Sequence, residues 1–265
     1  MSFGAIADDY DRLRPSPPEA AVGWLVPAGC QVAVDLGAGT GLLSRALARR
    51  VPRVIAVEPD ERMAAVLRAR DPAIEVARGR GEAIPLPDAS ADGLFISSAW
   101  HWMDPERAVP EIARVLRDGG RFGVIWTSRD HEVGWVRELH RLREPDQHRE
   151  PGQHREPGQP AEPAGPRAQD RPRARRREVT LPEGSPFGMA ETASFTFRRT
   201  MTTSDVVAML GTYSGLITAS PQDRAATFAR LRAALAQWFP GADEIDVPMR
   251  SVCWRADRTA RPTTF

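Results

Sequence analysis

The sequence predicts a doubly wound α/β fold, in which helices cover both faces of a mainly parallel sheet. Between about residues 31 and 127, short apolar stretches alternate with segments that carry apolar residues at helical spacing, as in strands joined by crossover helices. A glycine-rich turn follows the first strand and leads into a helix. Two later stretches alternate polar and apolar residues, and we expect them to pair antiparallel at the sheet edge.

Composition limits the classes of protein that fit this chain. Its 265 residues, 42% of them hydrophobic, suffice for one good core with an appendage. The net charge of +1 is too small to attract the whole protein electrostatically to nucleic acid or to a membrane surface. No apolar run reaches the length of a membrane span, and Met1–Tyr10 lacks the pattern of a secretory signal. We therefore expect a cytoplasmic protein, with oligomeric state left open.

Several chemistries are excluded by residue content. The chain contains no lysine, so it has neither a Schiff-base lysine nor the phosphate-binding lysine of a Walker-type loop. Its two cysteines, Cys30 and Cys253, form no metal or redox pattern. We expect no metal site.

The first half of the chain supplies most of the predicted sheet. Before it, Phe3–Arg14 is short and mixed, and Ser16 is a candidate cap for a helix through Leu25. The predicted strands are Gln31–Asp35, Arg53–Val57, Ile74–Ala77, Leu94–Ser97 and Arg121–Thr127. The predicted helices between them are Leu42–Arg50, Asp60–Arg70 with an Asp cap, and Pro105–Leu116, which Asp118–Gly120 would end with a turn.

The second half contains a break in composition. After a predicted helix over Asp130–Leu142, residues 144–178 hold almost no large apolar side chain, repeat His-Arg-Glu-Pro-Gly-Gln and end in an arginine run, so we expect a disordered insert. We divide the chain into a core over 1–143, this insert, and 179–265, which completes the sheet. The last segment is predicted to contain strands Ala193–Thr200 and Val247–Trp254, a helix Asp205–Leu210 capped by Ser204, and a helix Pro221–Phe239.

The glycine turn carries the chemical argument. Dinucleotide enzymes usually show Gly-x-Gly-x-x-Gly, whereas here the third glycine, Gly41, comes one residue early and Asp35 precedes the first, Gly37. That carboxylate would repel a pyrophosphate but attract a cofactor with an ammonium and a sulfonium group. The alternative is an ordinary strand-to-helix turn. Glu58 ends the second strand, where a carboxylate can accept hydrogen bonds from ribose hydroxyls, unless it is only a solvated acid before a helix.

Together these residues resemble the class I S-adenosylmethionine-dependent methyltransferases, most closely the small-molecule branch that includes enzymes of the ubiquinone and menaquinone type. The resemblance covers roughly Phe3–Thr127. It implies a Rossmann-like seven-stranded sheet of order 3-2-1-4-5-7-6, with the last strand antiparallel. It also implies S-adenosylmethionine as cofactor, a loop over Gly81 and Glu82 on the adenine side, and Tyr10 in an amino-terminal cover near the methionine part. The implied cofactor residues are Asp35, Gly37, Gly39, Gly41, Glu58, Gly81, Glu82 and Tyr10.

The segment Ser97–Asp104 would face the transferring methyl group in this family. His101 could take a proton from the nucleophile, and Trp100 and Trp102 could contact the substrate. An alternative of equal weight is that these three residues only pack against the rest of the protein. The expected function is methyl transfer to an oxygen, nitrogen or carbon atom of a small molecule. Two alternatives stay open: an RNA-modifying enzyme that uses Arg171–Arg177, which we regard as the weaker interpretation, and a cofactor-binding protein whose catalysis has lapsed.

Overall fold

The computed structural model describes residues 7–143, 178–213, 216 and 219–259. They build a seven-stranded sheet of order β3-β2-β1-β4-β5-β7-β6. Strands β1 to β5 run parallel, and β7 lies antiparallel between β5 and β6. The predicted fold class and strand order are confirmed. The strands are β1 Val32–Leu36, β2 Arg53–Val57, β3 Glu75–Ala77, β4 Ala91–Ser97, β5 Leu116–Arg129, β6 Glu191–Thr202 and β7 Glu244–Asp257.

Helices cover both faces of this sheet. In the described part of the chain they are α1 Ala7–Leu13, α2 Glu19–Leu25, α3 Leu42–Ala48, α4 Glu61–Arg70, α5 Pro105–Val115, α6 Gly134–Arg143, α7 Thr203–Gly211 and α8 Pro221–Trp238, with a short 3-10 turn at Trp100–Trp102. Among these described helices, none has the length and apolar character needed to cross a membrane. The predicted insert and its arginine run lie outside the described residues, apart from Glu178.

Apolar residues on the two sheet faces form separate clusters. Helices α2 and α3 pack on one face, around Leu43, Leu47 and Phe95, and α5 packs on the other, around Ile112 and Phe122. A third cluster joins residues of α7 and α8 to the ends of β6 and β7. Because β1, β2 and β4 are buried over most of their length, their sequences are nearly continuous apolar runs. This arrangement leaves the carboxyl edge of β1, β2, β4 and β5 for the loops.

Two predicted caps are wrong. Helix α2 begins at Glu19, and its N-cap is Pro18 rather than Ser16. Pro17 itself precedes a proline, which disfavours helical backbone at that residue, so the helix starts only after Pro18. Helix α7 is capped by Thr202, whose hydroxyl accepts from the Asp205 N–H at 3.0 Å, because β6 continues directly into the helix.

The predicted turn at Asp118–Gly120 is also different in the structure. Helix α5 ends at Val115, but β5 begins immediately afterwards and includes these residues as an irregular segment. Gly119, with φ +75°, donates its N–H to the carbonyl of Arg258, and the Arg258 N–H donates to the carbonyl of Gly120. The pairing partner lies 138 residues along the chain from Gly120, so local sequence could not indicate it.

Candidate cofactor site

The glycine turn joins the end of β1 to the start of α3 at the carboxyl edge of the sheet. The N–H groups of Gly37 and Ala38 both donate to the carbonyl of Val57, at 2.8 and 3.2 Å. The turn is thereby fixed to the end of β2. Three glycines in it have positive φ, at +70°, +58° and +85° for Gly37, Gly39 and Gly41, a region that other L-residues adopt only with strain.

The three glycines are required for different reasons. A Cβ atom on Gly37 would lie 2.8 Å from the Cβ of Ala99, and one on Gly41 would lie 2.2 Å from a methyl of Leu67. Both glycines are therefore fixed by packing within the protein. A Cβ on Gly39 would meet no atom within 4 Å. Gly39 is thus the member of the turn whose backbone faces open space.

Asp35 lies beneath the turn and is fully buried. One carboxylate oxygen, Oδ2, accepts from the hydroxyl of Ser44 at 2.6 Å, while Oδ1 has no hydrogen-bond partner among the described residues. Burial raises the pKa of Asp35 to about 7; the hydrogen bond from Ser44 opposes this rise, and the charge of Glu58 adds to it. The site therefore contains a carboxyl group near its ionisation point at neutral pH, with one oxygen available to a donor.

Glu58 fixes the glycine turn to the start of α4. Its carboxylate accepts from the N–H of Gly39 and from the N–H of Asp60, both at 2.8 Å, and it is 7% exposed. Burial raises the pKa of Glu58, and these two hydrogen bonds oppose the rise. Each carboxylate oxygen keeps a second lone pair, so the group retains capacity for a ligand hydroxyl. The predicted acid therefore also has a structural role that the sequence does not indicate.

The loop after β3 is held from beneath by α5. Gly81 packs against Met103, since a Cβ there would lie 2.7 Å from the Met103 sulfur, and Glu82 accepts from the Asp104 N–H at 2.9 Å. Arg114 of α5 donates to the carbonyls of Ile84 and Leu86 in the same loop and forms ion pairs with Asp88 and Glu111. These contacts give Arg114 a structural role, because they join the loop to the end of α5.

The aromatic segment after β4 divides into a buried and an exposed part. Trp100 is 3% exposed and packs in the core, with its ring 5.6 Å from that of Phe122. Trp102 is 47% exposed, and its ring lies 4.9 Å from the partly buried ring of His101. The packing alternative therefore fits Trp100, whereas His101 and Trp102 lie nearer the surface. Ser98, which precedes them, has φ +55°, a strained backbone of the kind found at functional sites.

Helix α1 packs beside the glycine turn. Asp11 pairs with Arg45 at 2.5 Å, and another nitrogen of Arg45 donates to the carbonyl of Thr40 in the turn at 2.9 Å. Tyr10 is half-buried, and the guanidinium carbon of Arg14 lies 4.8 Å from its ring centroid. The structure thus brings the predicted amino-terminal cover and the turn together. The Asp11–Arg45 link that does so was not among the sequence predictions.

A groove elsewhere on the surface contains none of these residues. It has a volume of about 700 Å³, and Trp135, Phe197, Phe239 and Met249 contribute to its lining. Because it lies on α6 and the antiparallel strands rather than at the glycine turn, we do not assign the cofactor to it.

Comparison with known proteins identifies the family. A family model described as a methyltransferase domain matches residues 34–124. An uncharacterized methyltransferase of Mycobacterium tuberculosis is 37% identical over 258 residues, which are 97% of this chain and 95% of the relative. The chain belongs to the class I S-adenosylmethionine-dependent methyltransferases. Among solved structures, a candidate type II methyltransferase from Anaeromyxobacter dehalogenans superposes with a TM-score of 0.64 at 25% identity, over 92% of this methyltransferase and 97% of that chain.

A shorter match has a more specific name. The malonyl-[acyl-carrier protein] O-methyltransferase of Methylococcus capsulatus is 36% identical over 133 residues, which are 46% of this methyltransferase and 48% of the relative.

The cofactor of this methyltransferase is S-adenosylmethionine, and the residues at the turn fit that group. Gly39 leaves open space at the turn, and Asp35 has a buried oxygen without a partner among the described residues, which suits the ammonium group of the methionine part. Glu58 lies next to both and can accept from a hydroxyl.

Proposed function

We propose that this methyltransferase transfers a methyl group from S-adenosylmethionine to an oxygen, nitrogen or carbon atom of a small molecule. The observation that carries the proposal is the open space at Gly39 beside Glu58, at the carboxyl edge of a parallel sheet. Ligands of doubly wound sheets bind at this edge. The relative named as a malonyl-[acyl-carrier protein] O-methyltransferase supports oxygen as one possible acceptor atom.

Most of the proposed cofactor residues surround the turn. The glycines Gly37, Gly39 and Gly41 shape the backbone, Asp35 offers Oδ1 to the ammonium group, and Glu58 accepts from the ribose. Gly81 and Glu82 flank the adenine side, and Tyr10 on α1 covers the methionine part. In this proposal the core is 1–143, while 179–265 completes the sheet and contributes to the substrate cover around the insert 144–178.

The proposed acceptor residues follow β4. When bound, S-adenosylmethionine supplies a methyl group on a sulfonium, an electrophile that needs no further activation. The protein's own contribution is then alignment of the acceptor and removal of its proton. We propose His101 as the base and Trp102 as a contact to the acceptor; Trp100 remains a predicted substrate residue, although its core packing favours a supporting role.

Removing the Glu58 carboxylate tests the cofactor assignment. Glu58→Ala is expected to weaken binding of S-adenosylhomocysteine about ten- to hundredfold, since it removes charged acceptors and leaves the Gly39 N–H unfixed. Isothermal titration calorimetry measures this. Glu61→Ala is the matched control, because Glu61 is exposed on α4 and pairs only with exposed Arg68 among the contacts described. Equal affinity of wild type and Glu58→Ala would contradict the assignment.

Replacing His101 tests the proposed base. His101→Gln is expected to lower kcat for an active acceptor by at least about a hundredfold, with the affinity for S-adenosylhomocysteine unchanged. The measurement is the pH dependence of the methyl-transfer rate across an acceptor panel, with His131→Gln as the control. An unchanged kcat would show that alignment suffices and that no base acts at His101.

A further inference from the structure

Three arginines surround Tyr213 beyond the carboxyl end of the central strands. The guanidinium carbons of Arg14, Arg129 and Arg143 lie 3.8, 5.6 and 5.0 Å from the centroid of its ring. Arg14 follows α1, Arg129 ends β5 and Arg143 ends α6, so three separate elements bring positive charge to one point.

Arg129 is the unusual member of this arginine cluster. It is 2% exposed, and its Nε and Nη1 have no hydrogen-bond partner among the described residues. Burial lowers its pKa. A buried guanidinium without a carboxylate is costly, and a ligand anion is one group that would offset this cost.

Acids on the elements that carry the cluster pair with other arginines. Asp130, the next residue in the chain, forms a two-point pair with Arg250 at 2.9 and 3.0 Å. Asp205 pairs with Arg12, and Asp11 pairs with Arg45. Within the described residues, therefore, no contact of Arg129 with an aspartate or glutamate accompanies its burial.

Tyr213 shows what this point attracts. Burial by itself would raise the pKa of Tyr213, but the surrounding positive charges of Arg14, Arg129 and Arg143 lower this pKa to about 8. The surroundings thus favour negative charge where the phenol oxygen lies.

We infer that the arginine cluster binds a carboxylate or phosphate group of the methyl acceptor, which takes the place of the Tyr213 hydroxyl against Arg129. This inference rests on the proposed function and narrows its substrate class to anionic molecules. A guanidinium presents a fork that matches either oxyanion.

The position of the cluster favours the acceptor over the cofactor as the source of this anion. Strand β5 lies two positions from β1 in the sheet, which is about 10 Å at the usual strand spacing. The cluster is therefore beside the glycine turn rather than on it. It shares the carboxyl edge of the sheet with the aromatic segment after β4.

Calorimetry on the full chain tests the inference. Succinate and inorganic phosphate are titrated into protein saturated with S-adenosylhomocysteine, and dimethyl succinate is the neutral match. Wild type is expected to bind at least one of the two anions and not the diester. Arg129→Met is expected to weaken that binding about ten- to hundredfold, with affinity for S-adenosylhomocysteine within about twofold of wild type.

Arg258→Met is the matched control. Arg258 is also buried, but it donates to the carbonyl of Leu116 and pairs with Asp118 at the opposite edge of the sheet. We expect this variant to bind the anion as wild type does and to have a lower Tm. Arg129→Met is expected to have a higher Tm than wild type, because it removes a buried charge that lacks a carboxylate; a lower Tm would indicate a structural arginine and would overturn the inference.

Three further results would overturn it. One is equal binding of succinate, phosphate and the neutral diester by wild type, and another is full anion binding by Arg129→Met. The third is a loss of S-adenosylhomocysteine affinity in Arg129→Met with unchanged affinity for methylthioadenosine, which lacks the amino-acid part. The carboxylate of the cofactor, rather than that of the acceptor, would then be the anion at the cluster. Failure of the proposed function has a different signature, since wild type would then bind S-adenosylhomocysteine but would transfer no methyl group to any member of a small-molecule acceptor panel.

Discussion

Replacing Asp35 with asparagine is expected to raise the free energy of unfolding of the ligand-free protein by about 4 kcal/mol at pH 8 and to change it little at pH 4. The reason is the burial of an ionisable group beneath the glycine turn. Asparagine has nearly the same shape as a protonated aspartic acid and can still accept from Ser44, but it never has to carry a charge in the interior.

The direction of this effect follows from the pKa of Asp35, which burial raises from 3.8 to about 7 in the folded protein. Between these two values the unfolded chain has lost the proton while the folded protein keeps it. The free energy of unfolding of wild type is therefore undiminished by Asp35 below about pH 4. Between about pH 4 and pH 7 it falls by about 1.4 kcal/mol for each pH unit. Above pH 7 both states are ionised, and the difference between wild type and variant is constant.

Urea unfolding of wild type and Asp35→Asn at pH 4, 6 and 8 measures this dependence. Carboxyl groups that do not interact with Asp35 cancel in the difference, whereas Glu58, whose charge contributes to the raised pKa of Asp35, adds to the measured effect. Asp243→Asn, at an exposed position, is the control for removal of a carboxylate that is not buried. Two results would contradict a destabilising buried carboxylate at Asp35. One is an Asp35→Asn variant that is less stable than wild type at pH 8, and the other is a difference in the free energy of unfolding that is the same at all three pH values.

Local sequence predicted the strands, most helices and the glycine turn because their determinants lie within a few residues. A buried strand, three glycines at fixed spacing and a following amphipathic helix need no distant partner to be recognised. The same reasoning succeeded for α4, where Asp60 accepts from the N–H of Arg62 two residues later. It failed for α2, where consecutive prolines delay the helix beyond Ser16.

Features that depend on distant contacts were not predictable from local sequence. The hydrogen bond from Gly39 to Glu58 joins residues 19 apart, and Arg129 at the end of β5 meets Tyr213 only once the segment after α7 packs against that end of the sheet. Spacing also could not indicate which glycine faces open space, since Gly37, Gly39 and Gly41 all have positive φ. Their neighbours Ala99 and Leu67, which decide this, come from the loop after β4 and from α4.

The central claim is that the open space at Gly39 receives the cofactor, and a pair of glycine substitutions isolates it. Gly29 is the matched control position for Gly39. Its φ is also positive, +75° compared with +58° for Gly39, and a Cβ on Gly29 would likewise meet no atom within 4 Å. It lies before β1, at the opposite edge of the sheet. In both variants, alanine in the left-handed backbone region costs about 1 kcal/mol. We therefore expect a similar, small decrease in Tm for Gly39→Ala and Gly29→Ala.

Calorimetric titration of S-adenosylhomocysteine into Gly39→Ala and Gly29→Ala is the most direct measurement. We expect Gly39→Ala to bind at least about thirtyfold more weakly than wild type, which corresponds to about 2 kcal/mol, because the added methyl group occupies the space of the ligand. Gly29→Ala is expected to bind as wild type does. Wild-type affinity in Gly39→Ala, or an equal loss in both variants, would contradict a cofactor site at this turn.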